Sequence, residues 1–228
     1  ASTGDGVYIP GTAIKGALRT GAVFGGWNLD TFRRMSSQVQ EGRLAKKSVV
    51  GMEEQAVNRS LKGASVSDSA KVPYDATLIF LTRTATAVAR GGGRLELGWK
   101  QSPRGSTARA DDATPEFVEM AKPGTVFAGA WKDKSTGRAF QSANKFAAGI
   151  LAAHAQYATQ FGLKQLAQSV GALAEQAASL GESETACMLP VGWGCGFLGK
   201  AAVTDASGEE IRDLLRKLPF YARAIQTG

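Results

Sequence analysis

Two short stretches of this chain carry residue types that suit a polyanionic ligand. In Tyr8-Ile9-Pro10-Gly11-Thr12-Ala13-Ile14-Lys15-Gly16-Ala17-Leu18-Arg19, Lys15 and Arg19 stand four apart, the spacing that puts two side chains on one face of a helix. A helix opening there presents unpaired backbone N–H groups and a partial positive charge, a natural seat for phosphate. Gly16 lacks a Cβ at a point where a backbone or ligand could come close. The same residues also read as a solvated basic face with a tolerated glycine. The second stretch is Gly192-Trp193-Gly194-Cys195-Gly196-Phe197-Leu198-Gly199-Lys200. Its four glycines leave backbone N–H groups open to an anion, Trp193 and Phe197 suit stacking on bases, and Lys200 adds charge.

Two rival chemistries share that second stretch. Gly194-x-Gly196-x-x-Gly199 satisfies the dinucleotide fingerprint, and Gly194-x-x-x-x-Gly199-Lys200 comes one residue short of a P-loop. No βαβ alternation surrounds the first. Ala201 stands where the second needs a hydroxyl on magnesium. A nucleotide-binding protein using Gly194 to Lys200 is therefore kept only as an alternative.

Catalytic candidates are sparse. A metal-independent ribonuclease would typically use histidine as base or acid, and the only one, His154, sits on an apolar stripe between Ile150 and Ala158, the place of a core residue. Asp111-Asp112 falls in a loop, while Asp5, Asp30 and Asp68 stand singly. Ser67-Asp68-Ser69 has no histidine positioned beside it and reads as a turn or cap. Cys187 and Cys195 match no zinc spacing. No catalytic residue, metal or cofactor is expected; a metal-dependent endoribonuclease is the alternative from the enzyme class.

The elements that would position these residues follow from periodicity and turn chemistry. Val7 to Ile9 reads as a short strand, and Pro10-Gly11 as a turn. A helix is predicted from Thr12, as N-cap, to about Phe24, with Ile14, Ala17, Leu18 and Val23 inward. Leu29 to Arg59 reads as two helices joined near Gly51, with a basic cluster at Arg43, Lys46 and Lys47 added to the RNA-binding set. Thr77 to Thr86 is rich in β-branched residues and predicts a strand. Ala89 to Pro115 reads as a loop or hairpin. Phe117–Met120 and Thr125–Trp131 are predicted to pair around the turn Lys122-Pro123-Gly124. Phe140, Ala143, Ala147, Ile150, Leu151, His154, Ala158 and Phe161 share one helical face, which Gly162 should end. Leu166, Val170, Leu173, Ala177 and Leu180 then repeat at 4-3-4-3. Cys187 to Val203 is left as strand or loop, and a last helix spans about 208–218. Helices and strands mix without regular alternation, so the class is α+β.

Composition agrees with an anionic partner without requiring one. Lys and Arg number 27 against 20 Asp and Glu, a net charge of +7, and a pI near 9.5 favours nucleic acid. Glycine supplies 28 of 228 residues, well above the usual share of about 7%. Apolar residues make up 43%, enough for a core, and no stretch approaches the roughly 18 apolar residues of a membrane span. With no apolar leader and two thiols, the expected compartment is the cytoplasm.

The stretch I-P-G-x-x-x-K-G-x-x-R near one end and a glycine-rich loop near the other resemble the RAMP (repeat-associated mysterious protein) superfamily of CRISPR proteins. Within it, G-W-G-C-G-F-L-G-K is most similar to the fifth, 3′-end capping subunits of type III-A (Csm) effector complexes. Val66-Ser67-Asp68-Ser69 resembles an R-V-S-D-S segment there, and Val118-Glu119 with Gly124-Thr125-Val126-Phe127 resembles a strand pair. The resemblance implies a single RAMP domain over 1–228, a modified ferredoxin-like (RRM-like) fold with a helical insertion at about 138–181. It implies guide RNA and neighbouring backbone subunits as partners, with target RNA as a further one. It carries RNA-binding roles onto Pro10, Gly11, Lys15, Arg19, Gly192, Trp193, Gly194, Gly196, Phe197 and Lys200. It also implies a strand ahead of the first motif, where only Ala1 to Gly6 stand, so the domain is expected to lack its first strand. The capping subunits are generally regarded as non-cleaving.

Overall fold

The computed structural model describes residues 1–25, 30, 33, 37, 61, 63–89, 95–103, 105–132, 137–192, 213 and 216. Apart from isolated positions, the helices expected over 29–59 and 208–218 lie outside them. The described elements make the class α+β: three helices and four small antiparallel sheets. The chain divides into two compact units, Ala1–Ile9 with Asp68–Gly129 and Gln160–Gly162, and Pro10–Ser67 with Ala130–Thr159 and Leu163–Gly228.

In the first unit, β1 (Ser2–Thr3) and β2 (Gly6–Val7) form a short hairpin. Val7 exchanges both backbone hydrogen bonds with Val72, each 2.9 Å. Lys71 Nζ donates to both Asp5 carboxylate oxygens at 2.7 and 2.9 Å, and Thr3 Oγ1 donates to Oδ1 at 2.7 Å. These donors, Lys71 foremost, hold the Asp5 carboxyl at about 2, below its ordinary 3.8.

The apolar run expected as one strand is two, β4 (Thr77–Thr82) and β5 (Ala85–Ala89), numbered after β3 of the second unit (Ser65–Val66). β5 pairs with β6 (Leu95–Lys100), which pairs with β7 (Ser106–Thr107), so of the loop or hairpin expected over 89–115 it is antiparallel hairpin pairing that forms. β4 pairs with β8 (Glu116–Ala121), in register from Thr77↔Ala121 to Thr82↔Glu116. This corrects the expected pairing of 117–120 with 125–131. The turn at Lys122-Pro123-Gly124 exists, with Gly124 at φ +83° and a bond from Thr125 N–H to the Lys122 carbonyl at 3.1 Å. Pro123 lacks an N–H, however, and the Lys122 N–H is committed to the Ala76 carbonyl at 2.9 Å. The chain leaving the turn instead meets Ala70, whose N–H reaches the Ala128 carbonyl at 2.6 Å. One face of the β4–β8 ribbon carries Ile79, Leu81 and Phe117, with Ile79 and Phe117 73% and 71% exposed.

In the second unit, α1 spans Gly11–Phe24 with Pro10, not Thr12, as its N-cap. Proline's fixed φ, here −60°, ends the extended segment and leaves Gly11 as the first helical residue. Gly11 is buried against β3, where a Cβ would lie 2.7 Å from the Ser67 carbonyl oxygen. β3 pairs with β9 (Trp131–Lys132). α2 (Gly137–Gln160) crosses α1 at small residues, and a Cβ on Gly21 would sit 2.6 Å from Ala143 Cα. Leu18, Leu61, Ala64, Ala139 and Ala143 form the core, and Ile14, Ala22, Trp131, Phe140, Cys187 and Leu189 pack against it. Trp131 meets Phe140 edge-on at 5.7 Å, a packing role in the core.

The expected stripe of α2 is buried at Ala143, Ala147, Ile150 and Ala158, while Phe140, Leu151, His154 and Phe161 are only half-buried. Gly162, at φ +73°, ends the helix as expected. α3 (Lys164–Ser179) follows. Of its 4-3-4-3 row Ala177 is buried, Val170 and Leu180 are half-buried, and Leu166 and Leu173 are exposed.

Candidate functional site

α1 separates its residues by face. Ile14 and Leu18 turn to the core and Gly21 to α2, while Thr12, Lys15, Gly16 and Arg19 are exposed. Those four positions follow the i, i+3, i+4, i+7 rule and make one solvent-facing stripe. Lys15 Nζ donates to the Ala64 carbonyl at 2.7 Å. That bond uses one of three ammonium donors and holds the charge beside the segment leading into β3. Arg19 lies one turn further along the stripe. Among the described residues a Cβ on Gly16 would have nothing within 4 Å, so none of their backbone makes the close approach that its glycine permits. The first turn holds no acidic residue and no side-chain cap, so the dipole's positive end meets no carboxylate from its own turn.

The glycine-rich stretch is described only at its threshold. Gly192 is exposed at φ +102°. Trp193, Gly194, Gly196, Phe197 and Lys200 lie outside the described residues, as do Arg43, Lys46 and Lys47. The residues that lead to Gly192 are well placed. Cys187 and Leu189 pack against the core cluster that also takes Ile14 and Leu18 of α1. Burial raises the Cys187 thiol to about 11, so it stays protonated at neutral pH. Pro10, Gly11, Lys15, Arg19 and Gly192 therefore fall within one compact unit, whereas Tyr8 and Ile9 of the first motif belong to the other.

Compared with family models, curated proteins and solved structures, the chain matches none.

Ser67 Oγ accepts the Ala130 N–H at 2.8 Å. Ser69 Oγ accepts the Ile9 N–H at 2.9 Å and donates to the Ala70 carbonyl at 2.9 Å. Both hydroxyls serve backbone joints to distant segments, 63 and 60 residues away, and residues 67–70 form no local turn of the kind expected. Asp111 and Asp112 are exposed, with Arg109 4.0 Å from Asp112. Among the described residues no group of three or more His, Cys, Asp or Glu could hold a metal ion, and no helix is long and apolar enough to cross a membrane.

Asn144 escaped the sequence reading. It is fully buried on α2. Its Nδ2 donates to the carbonyls of Leu180 at 2.7 Å and Ala186 at 3.1 Å, and its Oδ1 accepts the Met188 N–H at 2.8 Å. Its only signal was position: Asn144 directly follows Ala143 of the apolar stripe, and stands four residues after Phe140 and three before Ala147.

Proposed function

We propose that this chain is an RNA-binding subunit of a type III CRISPR effector complex, a RAMP-superfamily protein similar to the 3′-end capping subunits of type III-A assemblies. It grips the sugar-phosphate backbone of the guide RNA without reading its sequence and joins neighbouring backbone subunits. On this reading the α+β chain is a modified ferredoxin-like domain that works in the cytoplasm and performs no catalysis of its own. The observation that carries the proposal is the exposed Thr12–Lys15–Gly16–Arg19 stripe. It belongs to the same unit as the core-packed lead-in to the glycine-rich stretch, whose spelling independently resembles the family. Cations spaced one turn apart near the start of a helix suit successive phosphates.

Affinity built from Lys and Arg on phosphates releases counterions and falls steeply with salt. The test is a titration of the chain with unrelated single-stranded RNAs at low and moderate salt, with ATP as control. The expected result is similar affinity for all sequences, a steep salt slope and no ATP response. Lys15→Ala and Arg19→Ala should each reduce the slope by about 0.7, one single-strand phosphate contact. Saturable ATP binding lost in Lys200→Ala would replace the proposal with a nucleotide-binding protein. Magnesium-dependent RNA cleavage abolished by one Asp→Ala change would replace it with a nuclease.

A further inference from the structure

Residues 186–192 have no regular secondary structure, yet they bring the chain to Gly192. A segment without a helix or sheet ladder must draw its position from side chains, because its backbone polar groups still need partners once buried. Here the partner is one carboxamide. Asn144 spans two links in the chain: it accepts from Met188 and donates to Ala186, and it also closes the C-terminus of α3 through Leu180. Cys187, between the two bonded residues, packs with Leu189 on the core shared with α1. Among the described residues Ser183 adds one more side-chain bond to this backbone, its Oγ accepting the Ala186 N–H at 3.1 Å.

We propose that Asn144 is a positioning residue: its carboxamide sets where the 186–192 segment leaves the core, and so where the glycine-rich stretch beginning at Gly192 meets RNA. The inference rests on the proposed function for its RNA half and on geometry alone for its structural half. A carboxamide matched on both its donor and acceptor sides ties the segment to α2 at two points, and its loss would take that partner from the part-buried Met188 N–H and Ala186 carbonyl. A buried asparagine without partners would instead cost stability and specify nothing.

The unaltered protein gives the first test. Native-state hydrogen exchange should find the Met188 amide protected like those in the middle of α2. Exchange at the rate of an open loop overturns the proposal. The second test uses Cys187 as a reporter, in a Cys195→Ser background. Asn144→Ala should raise the alkylation rate of Cys187 about tenfold while α1 and α2 amides keep most of their protection. An unchanged alkylation rate, or an equal loss of protection throughout α1 and α2, overturns it. RNA affinity should fall about tenfold in Asn144→Ala, and adding Lys200→Ala should lower it little further, because both act through the glycine-rich stretch. Losses that add in full overturn the role of Asn144 and leave RNA binding intact as a finding. Failure of the unaltered chain to bind RNA overturns the proposed function itself, while hydrogen exchange and alkylation still judge the hold on 186–192.

Discussion

Among single residues, Gly16 makes the sharpest distinction. Glycine inside a helix is about 1 kcal/mol less favourable than alanine, and here no neighbour within 4 Å of a built Cβ explains it. Gly16→Ala should therefore raise thermal stability by about 1 kcal/mol, read from the unfolding midpoint. If RNA lies along the stripe, the same change should weaken RNA binding, because a methyl group would enter the space between Lys15 and Arg19. A stabilised variant with undiminished RNA affinity would remove Gly16 from the interface. Asp5 supplies a second test at this scale. Its carboxyl is held at about 2, chiefly by Lys71, so its folded value lies below the ordinary 3.8. The associated stabilisation is therefore present above 3.8 and is lost as pH falls through about 2. An NMR titration of the Asp5 carboxylate should show a midpoint near 2, moving back toward 3.8 in Lys71→Met.

At the level of elements, the α1–α2 crossing uses the same residue type for an opposite reason. Gly21 faces α2 so closely that a Cβ would lie 2.6 Å from Ala143 Cα and 2.7 Å from its Cβ. Gly21→Ala should therefore destabilise the protein by about 1–2 kcal/mol, outweighing the gain in helix propensity. Denaturant midpoints of the two alanine variants should move in opposite directions; parallel shifts would mean that the helices do not meet at Gly21. Periodicity made α1 and α2 legible: the inward residues Ile14, Leu18, Ala143 and Ala147 all lie on faces readable at three- and four-residue spacing. It could not identify the partner of β8. Pairing of Glu116–Ala121 with Thr77–Thr82 is set by long-range competition among strands and by the commitment of Lys122 to Ala76, and neither leaves a local mark.

For the molecule as a whole, the sequence spoke more clearly about composition than about assembly of a site. The mixed α+β class and the cationic stripe were both readable from spacing. The division into two units was not: Ile9 and Pro10 are adjacent in the first motif but belong to different units. Nor was the work of Asn144, because a polar residue in an apolar row looks the same whether it is satisfied by a distant loop or turned to solvent. The partners that decide the matter, Leu180, Ala186 and Met188, stand at least 36 residues away.

The bare face of the β4–β8 ribbon has a practical consequence for anyone handling this protein. β4 reads Thr-Leu-Ile-Phe-Leu-Thr, with no charge and no proline, and among described elements β8 is its only sheet neighbour. Natural edge strands are usually guarded by charge, proline or a bulge against chance pairing with another chain. Through β4 this chain carries the sequence signature of a segment that templates cross-β deposits when a protein is concentrated or warmed in isolation.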